Sequence, residues 1–264
     1  MNKKVLFSHT FAVCAHGENE YLDKCVESVI NQELSSNVII CTSTDNNHIR
    51  DVAKKYNVEL FVNEIKTDMQ GSWNFALKCA KTQFVTICHQ DDYYDSKYYL
   101  KISKKFKSDV VFLYTGFYDV IDGKKTVNFL NRLKAFFSFF MRWRFFQAKR
   151  FFKRKAFSFG NSACCPSCCY NKGKTGIELF HSNLKNACDW DTFVNLCNVK
   201  GRIVFKKKRL TYKRIHKQSA TFQDIMSGLR YEEDKVMFDK LWNKFFAKFF
   251  IKIYKSAYKY NAEK

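Results

Sequence analysis

Proline is almost missing from this chain: Pro166 is the single one in 264 residues. With no proline-rich or glycine–serine stretch to serve as linker, a string of modules is excluded and one compact unit is expected. No uninterrupted apolar run reaches the roughly 18–20 residues needed to cross a bilayer. Near the start, Lys3 and Lys4 are succeeded by His9, His16 and Glu18, which interrupt the chain before the apolar core or cleavage site of a secretion signal can form. The eleven cysteines show no disulfide framework spacing, so a reducing compartment is expected. Acidic residues are also scarce, with 25 Asp+Glu against 46 Lys+Arg for a formal charge of +21. From Gly123 to Ile177 there is no acid at all, against thirteen Lys or Arg.

The residues that are abundant exclude disorder: 46% are hydrophobic and 17% aromatic, ample for a packed core. The first third alternates short apolar runs with helical stripes. Strands are expected at Val5–Ala15, Val38–Thr42, Val58–Val62 and Phe84–Cys88, and helices at Glu20–Asn31, Asn47–Tyr56 and Ser72–Lys81. Strands separated by helices of this length predict a parallel, doubly wound α/β sheet, because parallel neighbours need crossover connections. In such sheets ligands bind beyond the carboxyl ends of the strands. That directs attention to Cys14–Asn19, Thr42–Asn46 and His89–Asp92.

Two further regions have a different character. Phe136, Phe137, Phe139, Phe140, Phe145, Phe146, Phe151 and Phe152 interleave with Arg142, Arg144, Lys149, Arg150, Lys153 and Arg154, as in a pair of basic amphipathic helices. Near the carboxyl end Lys240, Lys244, Lys248 and Lys252 recur every fourth residue opposite Leu241, Phe245, Phe249 and Ile253, which predicts one long amphipathic helix from Val236 to Tyr260. The expected division is a main domain over 1–228, with a basic aromatic insertion at about 129–156, and a terminal helix over 229–264. Large apolar side chains in helical phase with basic ones suit an anionic membrane surface, where Phe136, Phe140, Phe245 and Phe249 would enter the acyl boundary. The same rings packed onto the sheet are the competing expectation.

The adjacent carboxylates Asp91 and Asp92 at a strand end are costly to hold together without a compensating cation. Hard oxygen ligands predict Mg²⁺ or Mn²⁺, which commonly binds through one or two carboxylates and the phosphates of a substrate. A solvated pair preceding the helix near Asp95 is the alternative. The run Cys164-Cys165-Pro166-Ser167-Cys168-Cys169 has no neighbouring histidine and no second ligand pair, so buried reduced thiols are expected there rather than zinc.

From about Phe7 to Phe222, the order of Ser72-Trp73-Asn74-Phe75-Ala76, His89-Gln90-Asp91-Asp92, Asp189-Trp190-Asp191 and Arg214-Ile215-His216-Lys217-Gln218-Ser219-Ala220-Thr221 resembles the inverting family-two glycosyltransferases. The resemblance implies a GT-A-type, Rossmann-like sheet with helices on both faces. It also implies a nucleotide-diphosphate sugar as donor, UDP-linked by expectation, and a glycan or lipid-linked glycan as acceptor in cell-surface polysaccharide synthesis. By the same resemblance Ala15, His16 and Glu18 face the base, although the family's proline and tyrosine are missing here and stacking falls to His16. Thr42, Ser43 and Asp45 take the base-and-ribose position, and Ser72, Trp73 and Asn74 line the nucleotide or sugar. His89 replaces the first acid of the family's D-x-D motif, with Gln90 beside it, so Asp91 becomes the first metal ligand and Asp92 the second. His89 itself either ligates the metal or is hydrogen-bonded beneath the ribose. Asp189 aligns best with the base that deprotonates the acceptor hydroxyl, and Asp191 is the second choice. Arg214 grips the diphosphate, and His216 ligates the metal or donates to a phosphate. Nucleic acid is a disfavoured partner, since no known nucleic-acid-binding pattern is evident. The rival expectation is a basic membrane-surface or nucleic-acid binder on a non-catalytic α/β scaffold. A location in the cytoplasm, peripheral on the inner face of the membrane, is expected.

Overall fold

The computed structural model describes residues 8–127, 129–216, 219, 223 and 226–262. In chain order these form β1 (His9–Ala15), α1 (Leu22–Ile30), β2 (Asn37–Thr42), α2 (Asn47–Lys55), β3 (Glu59–Val62), α3 (Met69–Cys79), β4 (Phe84–His89), β5 (Tyr93–Tyr94), α4 (Tyr98–Ser103), β6 (Val110–Ile121), β7 (Lys124–Thr126), α5 (Phe129–Phe137), α6 (Arg144–Gln147) and α7 (Arg150–Ser158). Next come β8 (Cys168–Asn171), α8 (Lys172–Thr175), α9 (Cys188–Leu196), β9 (Arg202–Ile215), α10 (Leu229–Leu241) and α11 (Lys244–Ala262). The alternation expected up to β4 is present, with ends moved by a few residues. Helix α3 starts earlier than expected because the Asp68 carboxylate accepts from the Gly71 N–H at 2.8 Å and caps it.

The sheet runs β3-β2-β1-β4-β8-β6-β9-β5, with β7 paired to β6. The β3-β2-β1-β4 block is parallel, as expected. It is not parallel throughout, because β8 lies antiparallel between β4 and β6. Alternation along β1 divides the core: Phe11 and Val13 pack with Leu22, Val26, Ile49 and Tyr98 on one face, and Ala12 packs with Trp73, Phe112, Trp190 and Phe238 on the other. The result is a three-layer α/β/α arrangement.

Two expectations about the helical additions change. The long carboxyl-terminal helix is broken at Trp242, whose backbone is extended (φ −135°, ψ 161°) and whose indole N–H donates to the Ser158 carbonyl at 2.6 Å. Asn243 then starts α11, accepting from the Phe246 N–H at 3.1 Å. Nor does the region stand apart, because Met237, Phe238, Ala247, Ile251 and Tyr254 are buried in the same core cluster as the sheet. Gly160 makes the close approach of α11 feasible: at φ +118° a Cβ there would lie 1.5 Å from the Tyr254 hydroxyl, which donates to the Phe159 carbonyl at 3.0 Å. Lys153, expected on the basic outer face, is buried. Its Nζ donates to the Val199 and Gly201 carbonyls at 2.8 and 3.2 Å, just beyond the end of α9.

His9 sits buried on β1 between the Ser36 and Thr86 hydroxyls at 2.7 and 2.9 Å, stacked on Tyr99. Burial pushes its pKa down to about 3 from an ordinary value of 6.5. The unfolded chain therefore takes up this proton first, and the stability that His9 contributes is lost as pH falls below that ordinary value. Going from pH 7.5 to 5 should cost about 2 kcal/mol at this residue. Denaturant midpoints of the wild type and His9→Gln at both pH values test this. A pH loss as large in the variant as in the wild type would show that His9 is not its source.

Candidate active site

The short strand β5 builds the site. Tyr93 and Tyr94 pair antiparallel with Tyr212 and Thr211 of β9, which lays the end of β9 against the turn after β4. The Arg214 backbone N–H donates to Asp92 Oδ1 at 2.9 Å, its Nη1 donates to the Asp91 carbonyl at 2.6 Å, and His216 Nε2 lies 3.3 Å from Asp91 Oδ2. Residues more than a hundred positions apart in sequence thus form one cluster. The Arg214 guanidinium lies between the Tyr21 and Tyr93 rings, 4.6 and 4.7 Å from their centroids. Lys217, Gln218, Ala220 and Thr221 of this segment lie outside the described residues.

His89, Asp91 and Asp92 each offer a ligand atom, and these atoms lie within 4.8 Å of one another. His89 stacks flat on the buried Trp73 (5.2 Å, 11°), which belongs to the core cluster. Its Nε2 is buried without a hydrogen-bond partner. Burial lowers its pKa to about 4, so the ring is neutral and offers a lone pair. Asp92 is buried, and its pKa is raised well above the carboxylate range by burial and then by Asp91. Two carboxylates and a neutral imidazole with an orphaned nitrogen fit Mn²⁺ or Mg²⁺.

The loops after β1 and β2 close against this turn. Gln90 and His16 exchange two bonds: the His16 N–H donates to Oε1 at 2.8 Å and Nε2 donates to the His16 carbonyl at 2.9 Å. The Gly17 N–H donates to the Thr44 hydroxyl at 2.7 Å, and the Thr42 hydroxyl accepts from the Thr44 N–H at 3.0 Å. Ala15 is buried at the end of β1, His16 and Glu18 are exposed, and Ser43 is half-buried. Asp45 is held in an ion pair with Arg50 of α2. Two expected donor contacts have structural roles instead. Asn74 is buried, accepting from the Leu179 and Phe180 N–H groups at 2.9 Å each and donating to the Phe180 carbonyl at 2.7 Å. The Ser72 hydroxyl donates to the Asp68 carbonyl within its own helix turn.

Asp189 lies in the first turn of α9, its Oδ1 accepting from the Trp190 N–H at 2.7 Å. Ala187, not Asp189, is the N-cap. Burial raises the Asp189 pKa, opposed by Arg230. Asp191 is already engaged, with Lys240 Nζ at 2.5 Å and the Ser182 hydroxyl at 2.8 Å. Lys213, which sequence reasoning missed, acts electrostatically on His89, Asp92 and Asp189 alike. Burial pushes the Cys164 thiol up to about 12, with smaller contributions from Asp92 and Asp189. Among the described residues, the cysteine run around it forms no ligand cluster, and its four thiols are free and buried.

A second feature invisible in the sequence holds α9 in place. The buried Glu233 carboxylate of α10 accepts from the backbone N–H groups of Lys185, Asn186 and Ala187, each at 2.8 Å, while Arg230 donates to Asn186 Oδ1 at 2.9 Å. Removing it would strand these donors, so Glu233→Ala should destabilise the protein by about 3 kcal/mol or more. Denaturant unfolding measures this, and a loss within experimental error would show that the clamp carries no weight.

This arrangement, a mixed Rossmann-like sheet with carboxylates at the strand ends and a further aspartate opening a helix across from them, is that of a GT-A glycosyltransferase. The sequence matches glycosyl transferase family 2 over residues 10–185, and the chain belongs to that family. No curated protein matches it by sequence. In solved structures it is similar to S. aureus TarS 1–349 (TM-score 0.57, 15% identity, 87% of this chain and 64% of that one). TarS 1–349 in complex with UDP-GlcNAc gives the same TM-score and identity and is covered over 65% of its length. The chain is likewise similar to the mannosyltransferase PcManGT from Pyrobaculum calidifontis in complex with GDP-Man and Mn²⁺ (TM-score 0.62, 13% identity, 90% and 64% covered). It therefore spans a little under two thirds of the length of these structures.

Proposed function

We propose that this glycosyltransferase moves a hexose from a nucleotide-diphosphate donor, UDP-linked, to a glycan or lipid-linked glycan in cell-surface polysaccharide synthesis. In this reading it inverts the anomeric centre and works peripherally from the cytoplasmic face of the membrane. The observation that carries this is the cluster of His89, Asp91 and Asp92 at the end of β4, with His89 Nε2 buried and unpartnered. Those three residues would hold the cation, with His216 beside Asp91. When bound, Mn²⁺ or Mg²⁺ supplies positive charge against the departing diphosphate. Arg214 holds the turn carrying Asp91 in position through its backbone carbonyl. Asp189, ionised, takes the proton from the acceptor hydroxyl, whose oxygen then bonds to the anomeric carbon on the face opposite the leaving group. That similar folds hold UDP-GlcNAc, UDP, or GDP-Man with Mn²⁺ supports a nucleotide-sugar donor.

The test is mass-spectrometric screening of nucleotide-sugar hydrolysis. A UDP-sugar should be consumed with Mn²⁺ present and spared on chelation. Consumption of none of the common nucleotide sugars would overturn the reading.

A further inference from the structure

We propose that the two basic aromatic segments, about ninety residues apart in sequence, form a single docking face for an anionic lipid bilayer. This rests on the membrane-peripheral reading above and names its partner and its surface.

The rings are not absorbed by the core. Met141, Phe157, Ala247, Ile251 and Tyr254 root the helices inward, while Phe136, Phe145, Phe151 and Phe245 remain 68%, 68%, 63% and 76% exposed. Isolated exposed rings are ordinary, but a contiguous set is not. Contiguity is what the ring contacts show. Phe151 touches Phe152 (5.3 Å), and Phe152 touches Phe146 (4.4 Å), which reaches Phe140 and Phe145. Lys155 Nζ lies 5.8 Å from the Phe151 centroid and 4.5 Å from that of Trp242, bridging α7 to the carboxyl-terminal pair. From Trp242 the contacts continue to Phe246 and Phe245.

Charge selects the occupant. Arg142 lies over Phe139 (5.2 Å) and Lys149 over Phe145 (5.5 Å), so cations and rings share one level of the surface, the arrangement suited to a headgroup boundary. The acid-free stretch from Gly123 to Ile177 supplies the helices on one side. Beside them opens a groove of about 970 Å³ lined by Arg144, Arg150, Lys174 and Lys200, where the acid Asp109 is already paired with Arg202 at 2.8 Å. Its surplus cations fit lipid phosphates. Single-stranded nucleic acid would use the charge and stack its bases on free ring faces, but these rings meet one another edge-to-face in a continuous apolar set, for which a lipid surface is the better match.

Sedimentation of the full chain with phosphatidylglycerol-containing vesicles tests this, against pure phosphatidylcholine vesicles and a single-stranded oligonucleotide. The chain should pellet with the anionic vesicles at low salt, less at high salt, and little with the neutral ones. Combined Phe145→Ser, Phe151→Ser and Phe245→Ser should weaken vesicle binding on the order of 10²-fold. The triple variant should keep the wild-type melting temperature, the wild-type rate of nucleotide-sugar hydrolysis and any oligonucleotide binding. Lys149→Glu with Lys248→Glu should weaken vesicle binding too. Unchanged vesicle binding in the ring variant, equal pelleting with neutral vesicles, or oligonucleotide binding tighter than vesicle binding would each overturn the proposal. Pelleting without any nucleotide-sugar hydrolysis would instead remove the catalytic reading and leave the docking face standing.

Discussion

Asp91→Ala is expected to abolish Mn²⁺-dependent binding of UDP. Titration calorimetry should show heat for the wild type that disappears on chelation, and none for the variant above its metal-free background. The size of the effect comes from the donor set: with His89, Asp91 and Asp92 as the clustered ligands, loss of one carboxylate removes a unit of charge. Weaker perturbations in the outer shell of metal sites already cost about 10- to 100-fold. The substitution is also clean. Arg214 Nη1 bonds to the backbone carbonyl of residue 91 and its N–H to Asp92, so truncating the Asp91 side chain leaves β9 docked. Among the described residues, the side-chain hydrogen bond lost is that to His216. Unchanged UDP affinity with Mn²⁺ would remove Asp91 from the metal site.

The second large effect belongs to Asp189. Asp189→Asn should lower turnover by about 10² to 10⁴-fold, with donor affinity changed no more than a few-fold. The amide oxygen can still accept from the Trp190 N–H, so the turn survives and the base is lost. The pH profile is a second readout. Burial raises the Asp189 pKa, and under the proposed mechanism the ionised form is the active one. In the wild type kcat/KM should therefore rise as pH climbs through that raised value, and the residual activity of Asp189→Asn should lose this limb. Asp191→Asn should weaken the contacts to Lys240 and Ser182 with little effect on turnover. If Asp191→Asn instead shows the large loss, the base is two residues later in the chain.

The local pattern made the first half of the fold legible: Phe11, Val13, Ile40 and Ile87 are apolar because both faces of a parallel sheet are covered. The antiparallel insertion of β8 was not legible, since its cysteines, small and apolar, carry no signal of direction. In the site, Asp91 and Asp92 could be read as adjacent carboxylates at a strand end, whereas His89, Arg214 and His216 were singled out only through the family resemblance; the structure brings the five together. Lys213, Tyr21 and Glu233 could not be read, because each acts through a neighbour supplied by tertiary packing. Tyr93 adjoins the paired aspartates, the one local signal available for it, yet its contact with Arg214 depends on the β5–β9 register. Asn74 misled for the opposite reason: an amide beside a site motif reads as a ligand contact until the backbone it ties together is seen.

The Glu233 clamp begins at Lys185, the last residue of the family match, and comes from a helix wholly beyond it. A chain cut after Gly228 would retain every strand of the sheet and the His89–Asp92 turn, but lose Arg230, Glu233 and Lys240 together. Such a fragment would also lose Met237, Phe238, Ala247, Ile251 and Tyr254 from the core that backs the sheet. The boundary of the family match is thus not the boundary of the folded unit, since the carboxyl-terminal helices complete the core behind the sheet and tie down the start of α9.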